Sequence, residues 1–350
     1  MKFTRVRRVS VTAVTLGAAA LLATACGSSG SSSSSASGAA PGSASAPAGA
    51  SGSASGGAPA SGGAGAVTTV TVGSLPVLDT AGLQVAVKEG FFKAAGLNVV
   101  VKSVAQSTAA IPDLLHGSID VIGGGNYVSF LEAQANGTFA VEFLAPAVNC
   151  SADSFGVVAL PSSGIAKAPD LAGKTIAVNL TQNIQTLTTS AVLSADGVNA
   201  GSVKYVQVPF PDMVAALKAG RVNAVSAVEP FLSAALAAGG KLVTSTCTGP
   251  AAGFPMSGYV TTRSWAQQHP AAAKAFAQAL EKGNAYADAN PAVTRGVLPG
   301  YTSLTPAAAA SVPLGDYPAT IDSALLQRVA TLMKSGGLAT PSNVSSLVLS

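Results

Sequence analysis

Three short segments of this chain combine hydrogen-bonding side chains with the predicted start of a helix. Each segment follows an apolar run that predicts a buried strand. Free backbone N–H groups at a helix start favour an anionic or polar group, so the chemistry that these segments offer is non-covalent binding. The candidate contact residues are Leu75, Pro76, Asp79 and Thr80 in the first segment, Gly125, Asn126 and Tyr127 in the second, and Asn179, Thr181, Gln182 and Asn183 in the third.

Some of these residues have a purely structural alternative. Asp79 and Asn183 precede predicted helices, and Asp or Asn at such a position commonly caps the helix. The sequence leaves capping and ligand contact equally open for both. Tyr127 offers a flat apolar wall that carries a hydroxyl group.

Glu229 is a further candidate, because it follows a predicted buried strand and precedes Pro230 and Phe231. Its carboxylate could bind an amine or amidine of a ligand, pair with a basic side chain across a cleft, or act as a first-turn charge favoured by the helix dipole. The three candidate segments contain neither Arg nor Lys. Their composition favours a neutral, zwitterionic or aromatic ligand over a small inorganic anion held by salt bridges.

Residue types that support catalysis or metal binding are scarce. The two histidines, His116 and His269, both lie at predicted helix ends, and no Cys/His cluster has metal-ligand spacing. The sequence contains neither a Gly-x-Ser-x-Gly motif nor a Walker loop, and Gly123–Gly125 lacks the remaining spacing of a dinucleotide fingerprint. We therefore expect no enzyme activity, no metal site and no cofactor.

One pattern in the sequence occurs twice. Leu114–Tyr127 and Leu217–Pro230, offset by 103 residues, each predict a helix end, a Gly stop, a short buried strand, and a loop that opens a new helix. In an open α/β sheet, ligands bind beyond the carboxyl ends of the strands. The recurrence predicts two similar lobes that face one cleft. The alternative is a common strand–helix turn that recurs by chance.

The rest of the periodicity predicts an α/β fold. A strand over Val67–Gly73 precedes one helix that runs from the Asp79–Thr80 cap to about Ala95, and Gly123–Tyr127 forms a loop. Lys174–Ser245 alternates strands and helices, which is typical of a parallel sheet. From Ser264 onwards the pattern is helical, so this region is expected to pack on the first lobe.

The amino terminus predicts secretion. Four basic residues precede an apolar run from Val9 to Ala25, which resembles a bacterial lipoprotein signal that is cleaved before Cys26. Cys26 would then be lipid-modified, for example with palmitate; ordinary secretion with cleavage nearby is the alternative. Gly27–Ala66 consists almost entirely of Gly, Ala, Ser and Pro, which predicts a flexible tether.

This processing also removes the basic character of the chain. Taking four basic residues from the 19 in the sequence leaves 15, against 15 acidic residues. The processed chain is therefore close to neutral, and nothing in its charge favours nucleic acid as a partner.

Several motifs, in order, resemble those of one family. Ala86–Phe92, Gly96–Val99, Asp170–Lys174 and Gly220–Pro230 resemble elements of the nitrate/sulfonate/taurine-type solute-binding proteins, a family that also includes binders of thiamine-pyrimidine precursors. Asn223 stands where the family more usually has Asp. The resemblance covers about residues 67–334.

The resemblance implies a type II periplasmic-binding-protein fold with two crossover strands. The first lobe would comprise residues 67–156 and 260–350, and the second lobe residues 157–259. It also implies a monomeric receptor outside the cytoplasm, held to the cell membrane by its lipid, that passes a small-molecule solute to an ABC permease with its ATPase. The alternative function is an interaction or sensor module with the same fold.

Cys150 and Cys247 are the cysteines that remain beyond the lipidation site. Outside the cytoplasm an oxidising environment favours a disulfide between them, and two buried free thiols are the alternative. The resemblance places both residues near the hinge between the lobes, which favours their pairing.

Overall fold

The computed structural model describes residues 67–350 of the chain. The predicted signal peptide, the lipidation site at Cys26 and the tether up to residue 66 lie outside the described residues and stay predictions. Within residues 67–350, no helix combines the length and the apolar composition that a membrane crossing requires.

Two five-stranded sheets organise the described residues. Their strands are short runs rich in Val, Ile and Ala, and most of them are buried, as expected for sheets covered by helices on both faces. The ten strands are β1 (Thr68–Ser74), β2 (Leu97–Ser103), β3 (Val121–Asn126), β4 (Val141–Asn149), β5 (Phe155–Ala159), β6 (Thr175–Val178), β7 (Lys204–Gln207), β8 (Ala224–Val228), β9 (Lys241–Ser245) and β10 (Pro255–Thr262).

The two sheets share one topology. The strand order is β2-β1-β3-β10-β4 in the first sheet and β7-β6-β8-β5-β9 in the second. In each order the first three strands are parallel, and the fourth runs antiparallel to both of its neighbours. β3 and β8 thus occupy equivalent positions, which explains why the sequence repeats around them. The expected α/β fold with two lobes is confirmed; the first lobe is built on the first sheet and the second lobe on the second sheet.

Helices cover both sheets. Long helices of the carboxy-terminal region pack against helices of the first lobe, which confirms the expected position of that region. The helices are α1 (Ala81–Lys88), α2 (Phe91–Ala94), α3 (Ile111–Leu115), α4 (Tyr127–Ala135), α5 (Ile184–Ala195), α6 (Met213–Lys218), α7 (Phe231–Ala237), α8 (Arg263–Gln268), α9 (Pro270–Ala289), α10 (Pro291–Val297), α11 (Pro306–Ala309) and α12 (Ser323–Ser335).

A buried asparagine links α9 to β4 and to the carboxy-terminal region of the first lobe. Asn284 of α9 is fully buried, and its Nδ2 donates to the carbonyl oxygens of Pro146 (2.8 Å) and Pro318 (2.9 Å). Gly82 of α1 lies directly against the Asn284 side chain, where a larger residue would clash. The absence of a side chain at residue 82 therefore lets α1 and α9 approach closely.

The chain crosses between the sheets twice, after β4 and after β9. Cys150 lies on the first crossing and Cys247 on the second; they form a disulfide whose Cα atoms are 5.3 Å apart. The backbone N–H of Cys150 also donates to the carbonyl oxygen of Phe254 at 2.7 Å. Both cysteines are buried. The structure thus joins the two crossings covalently at the hinge.

Two local expectations were wrong. The predicted single helix between Thr80 and Ala95 is broken at Gly90, whose φ of 73° lies in the left-handed region. The predicted loop at Gly123–Tyr127 is instead the end of β3, which continues to Asn126. A Cβ atom at Gly125 would lie only 2.8 Å from the Phe130 ring, so the close packing at this strand end requires a residue without a side chain.

We expect that replacing both hinge cysteines by serine lowers the free energy of unfolding. The disulfide closes a loop with a sequence separation of 97 residues. A loop of that length restricts the unfolded chain by about 4–5 kcal/mol in the loop-entropy account. Denaturant unfolding of the wild type and of the double variant, each with and without reductant, would measure the loss. A difference below about 1 kcal/mol would contradict this expectation.

Candidate functional site

A cavity of about 40 Å³ lies between the two lobes, beyond the carboxyl ends of the parallel strands. Residues of both lobes line it, so the space exists only because the two lobes face each other. The residues that line the cavity are Leu75, Val77, Asp79, Ser107, Gly124, Asn126 and Met256 from the first lobe, and Phe155, Asn179, Asn183, Ile184, Gln185, Phe210 and Val228 from the second lobe.

Asp79 carries the charge on the first-lobe side of the cavity. Its side chain is only 8% exposed, and its Oδ2 accepts a hydrogen bond of 2.6 Å from the hydroxyl of Ser257 in β10. Burial raises the pKa of the Asp79 carboxyl to about 6, although the Ser257 hydrogen bond opposes this shift. The single ion pair of residues 67–350 joins Arg263 to Glu142, so Asp79 has no cationic partner in that range.

The buried Tyr259 and Tyr317 and the half-buried Tyr301 face Asp79 and add no charge. Burial raises the pKa of Tyr259, Tyr301 and Tyr317 above the usual value of a phenol, so all three stay neutral at physiological pH. The hydroxyl of Tyr317 donates to the carbonyl oxygen of Leu78 at 3.1 Å, which holds the turn that carries Asp79. The carboxylate is therefore fixed in position by neutral groups.

The second-lobe side of the cavity is built from amide side chains at the start of α5. Asn183 caps this helix, because its Oδ1 accepts from the backbone N–H groups of Gln185 and Thr186, both at 3.1 Å. Gln185 uses both ends of its side chain: Oε1 accepts from the N–H of Asn179 (2.9 Å), and Nε2 donates to the carbonyl oxygen of Ser226 (2.8 Å). Asn183 is thus a helix cap and a lining residue at once.

Asn179 differs from these neighbours. Its side chain is buried, and its Oδ1 has no hydrogen-bond partner among the described residues. An unsatisfied buried acceptor costs about 1–3 kcal/mol. An atom of this kind in a cavity wall is a candidate contact for a ligand.

Asn126 has two roles at the first-lobe wall. Its Oδ1 accepts from the backbone N–H of Ser129 at 2.9 Å and so caps α4. Its Nδ2 lies 3.5 Å from the hydroxyl oxygen of Ser107. Like Asn183, it lines the cavity while it satisfies the first turn of a helix.

Other predicted contact residues lie outside the cavity wall. Thr80 is buried, and its hydroxyl donates to the carbonyl oxygen of Leu75 at 3.1 Å. Tyr127 packs in the core against Phe143, with ring centroids 5.0 Å apart. Gly125 lies within β3 and does not line the cavity, whereas its neighbour Gly124 does. The structure places Pro76 in the wall of a separate surface pocket, and Thr181 and Gln182 in exposed positions.

The structure gives the Glu229 side chain local hydrogen-bond partners. Its carboxylate accepts from the hydroxyl of Ser233 (2.8 Å) and from the backbone N–H of Ser233 (3.2 Å), one turn into α7. Burial raises the pKa of the Glu229 carboxyl to about 7. The side chain does not line the cavity, and it has no basic partner within residues 67–350.

Several hydrogen bonds connect the two lobes directly, and two of them involve residues that line the cavity or adjoin its lining. The backbone N–H of Leu78 donates to the carbonyl oxygen of Glu229 at 3.1 Å. The Nε2 of Gln106 donates to the carbonyl oxygen of Asn179 at 2.8 Å. These two bonds link the first lobe to the second without an intervening residue.

Sequence reasoning missed part of the wall. Ser107 and Gln185 lie at helix starts after predicted strands, so the rule that selected Asn126 and Asn183 could have found them. The apolar members carry no such signal, because an apolar side chain at a strand end is indistinguishable from a core residue. These missed apolar residues are Val77, Phe155, Ile184, Phe210, Val228 and Met256.

The chemistry of the cavity is that of polar recognition. No Lys, Arg, His or Cys is among its lining residues. Residues 67–350 contain no group of three or more His, Cys, Asp or Glu side chains that could hold a metal ion. The groups that the cavity offers to a ligand are therefore one carboxylate, several amide side chains and an apolar wall.

We expect Asp79→Asn to stabilise the ligand-free protein above pH 6. Because the folded-state pKa of about 6 lies above the usual 3.8, the folded state binds the proton more tightly. The contribution of Asp79 to stability is thus present below about pH 4 and is lost as the pH rises to about 6. Relative to the wild type, the free energy of unfolding of the variant should be higher by up to about 3 kcal/mol at pH 7.5 and almost unchanged at pH 4.

Denaturant unfolding across this pH range would measure the gain. Asp212→Asn is the matched control, because it removes the same formal charge from an exposed position. An Asp79→Asn variant that is less stable than the wild type at pH 7.5 would contradict the expectation.

Comparison with known proteins identifies the family. A family model described as NMT1/THI5 like matches residues 78–294, which is more than half of the chain. Comparison with curated proteins finds no match.

Solved structures show the same fold at low identity. The chain is similar to the ligand-binding component of an ABC-type import system from Staphylococcus aureus, solved with zinc bound (TM-score 0.69, 16% identity, 80% of this chain and 96% of that chain). It is also similar to the alkanesulfonate-binding protein SsuA from Xanthomonas axonopodis pv. citri bound to MOPS (TM-score 0.67, 18% identity, 81% and 98%). The desulfurization enzyme DSZB shares the fold as well (TM-score 0.59, 16% identity, 80% and 96%).

These similarities confirm the expected type II periplasmic-binding-protein fold. The resemblance that the sequence motifs indicated is confirmed by the family model. The chain belongs to the NMT1/THI5-like family.

Proposed function

We propose that this chain is an extracytoplasmic, lipid-anchored receptor that binds a small organic or anionic solute and delivers it to an ABC permease with its ATPase. The observation that carries this proposal is the cavity, which residues of both lobes line and beside which direct hydrogen bonds link the lobes. A receptor of this kind would be a monomer tethered to the membrane through Cys26. Its first lobe would comprise residues 67–156 and 260–350 and its second lobe residues 157–259, with the boundaries adjusted so that β5 (Phe155–Ala159) belongs to the second lobe and β10 (Pro255–Thr262) to the first.

Closure supplies a signal that a permease can recognise. A ligand that contacts both lobes stabilises the closed arrangement relative to an open one, by the difference in its affinity for the two. The crossings at the hinge, tied by Cys150 and Cys247, leave the lobes covalently joined at one side while the other side opens. Ligand binding would thus change the shape that the importer meets.

An enzymatic function has less support. The fold also occurs in a desulfurization enzyme, so the fold alone does not decide between binding and catalysis. The wall of this cavity carries no thiol, imidazole or amine. The lining residues favour binding without bond making.

We expect a panel of small solutes to raise the melting temperature of the purified full chain. The protein should first be unfolded and refolded, so that any co-purified ligand is removed. A ligand at 100 times its Kd stabilises the folded state by about 2.7 kcal/mol, which is readily seen in a thermal scan. A saturable rise for one chemical class would support the receptor. A flat response from folded protein would instead favour the interaction or sensor module.

Gln106→Ala should weaken binding of any solute that responds in this panel. The variant loses the bond to the carbonyl oxygen of Asn179, which exists only in the closed arrangement. Loss of one such bond costs about 0.5–1.5 kcal/mol, or roughly 2- to 13-fold in Kd. Gln327→Ala, at an exposed position on α12, is the matched control.

Small-angle scattering of the wild-type protein should show a smaller radius of gyration when the ligand is bound. A tight complex with an unchanged radius of gyration would count against closure.

A further inference from the structure

The cavity between the lobes offers acceptors that the protein leaves unused. Asp79 accepts one hydrogen bond from another side chain, the hydroxyl of Ser257, although a carboxylate can accept about four. Asn179 Oδ1 is buried and accepts none within residues 67–350. The backbone of Asn179 is already engaged, because its N–H donates to Gln185 and its carbonyl oxygen accepts from Gln106. The Asn179 side chain is therefore held at the cavity with its oxygen free.

An anionic ligand would use the free backbone N–H groups at the starts of α4 and α5. Some of these N–H groups already donate to asparagine side chains. At α5, the Asn183 side chain accepts from two backbone N–H groups, and at α4 the Asn126 side chain accepts from Ser129. A capped helix start leaves fewer N–H groups for an anionic ligand. No cationic side chain lines the cavity to replace them. The cavity wall thus has no cationic donor and carries one negative charge.

The rest of the wall is apolar. Phe210 is stacked on Phe231, with ring centroids 5.3 Å apart, which fixes one side of the cavity. Aromatic rings also attract cations through their faces. Phe155, Ile184, Val77 and Met256 complete an apolar surface around the polar groups. A ligand that fits this surface has a short apolar body.

We propose that the cavity binds a small organic cation, a primary ammonium or an amidinium on a short apolar body, whose N–H donors bond to Asp79 and Asn179. This inference rests on the proposed receptor function and names the ligand class of the same cavity. The cation supplies the charge that Asp79 lacks, and its remaining donors satisfy the free oxygen of Asn179.

The titration of Asp79 agrees with this assignment. Burial without a nearby cation raises the pKa of its carboxyl to about 6. The titratable groups that face it, Tyr259, Tyr301 and Tyr317, are neutral, and its hydrogen-bond donor Ser257 is neutral as well. Compensating charge can therefore come from a bound ligand.

The inference is tested with isosteric probes of opposite charge. The refolded full chain would be titrated at pH 8 by thermal shift and calorimetry with benzamidine and butylamine, and in parallel with benzoate, butanesulfonate and nitrate. We expect saturable binding of the cations and none of the anions. Asp79→Asn should weaken benzamidine binding at least 10-fold, whereas Asp212→Asn, which removes an exposed charge, should leave it unchanged.

A second variant tests the proposed contact between the ligand and Asn179 Oδ1. Asn179→Asp places a second carboxylate at the unpaired position and should tighten binding of benzamidine several-fold. Weaker benzamidine binding by this variant would show that Asn179 does not accept from the ligand, and would overturn the assignment.

The outcomes separate this inference from the receptor function. If the anions bind and the cations do not, the ligand class is wrong while the receptor function stands. If the cations bind equally well to Asp79→Asn, the assignment of the carboxylate is wrong. If no probe of either charge binds the folded protein, the receptor function and the inference both fail.

Discussion

The buried negative charge of Asp79 is the constraint around which the first lobe is arranged. An ionised carboxyl is costly to bury unless its charge is compensated, and residues 67–350 provide no cation beside it. The protein instead holds the carboxyl with the Ser257 hydroxyl and a turn that Tyr317 fixes from the carboxy-terminal region. Three segments that are distant in sequence thus converge to keep an unfavourable group in place. Such an arrangement costs stability and is typical of a functional site.

The second lobe has the same strand topology as the first, but it places amide side chains opposite the Asp79 carboxyl. Both sheets have the same strand arrangement, so the ends of β1, β3, β6 and β8 meet at one cavity. At the second lobe the corresponding loop presents amides. The Asn183 side chain accepts from the start of α5, the Gln185 side chain bonds the Asn179 N–H and the Ser226 carbonyl oxygen, and Asn179 Oδ1 has no partner among the described residues. The duplicated topology supplies two facing walls, and the differences between the loops give these walls different side chains. The disulfide joins the two crossings covalently at the hinge.

Much of this architecture could be predicted from the sequence. The parts that could not be predicted were hidden for physical reasons. The repeat around Gly117 and Gly220 predicted two lobes because each copy carries the same helix stop before a buried strand. The polar wall residues Asn126, Asn179 and Asn183 followed from their places at strand ends. Tyr127 could not be placed, because an aromatic side chain at a helix start can turn towards a cavity or into the core. The Glu229 carboxyl accepts a hydrogen bond from the Ser233 hydroxyl, and this contact depends on the residue type at position 233 and not on spacing.

The titration of the Asp79 carboxyl, followed by ¹³C nuclear magnetic resonance with and without saturating benzamidine, tests the central claim most directly. The account predicts a pKa of about 6 in the ligand-free protein, well above the usual 3.8, because no protein cation compensates the buried charge. It predicts that bound cation brings this pKa down to the usual value or below it. A pKa near 3.8 in the ligand-free protein, or one that benzamidine leaves unchanged, would contradict the account.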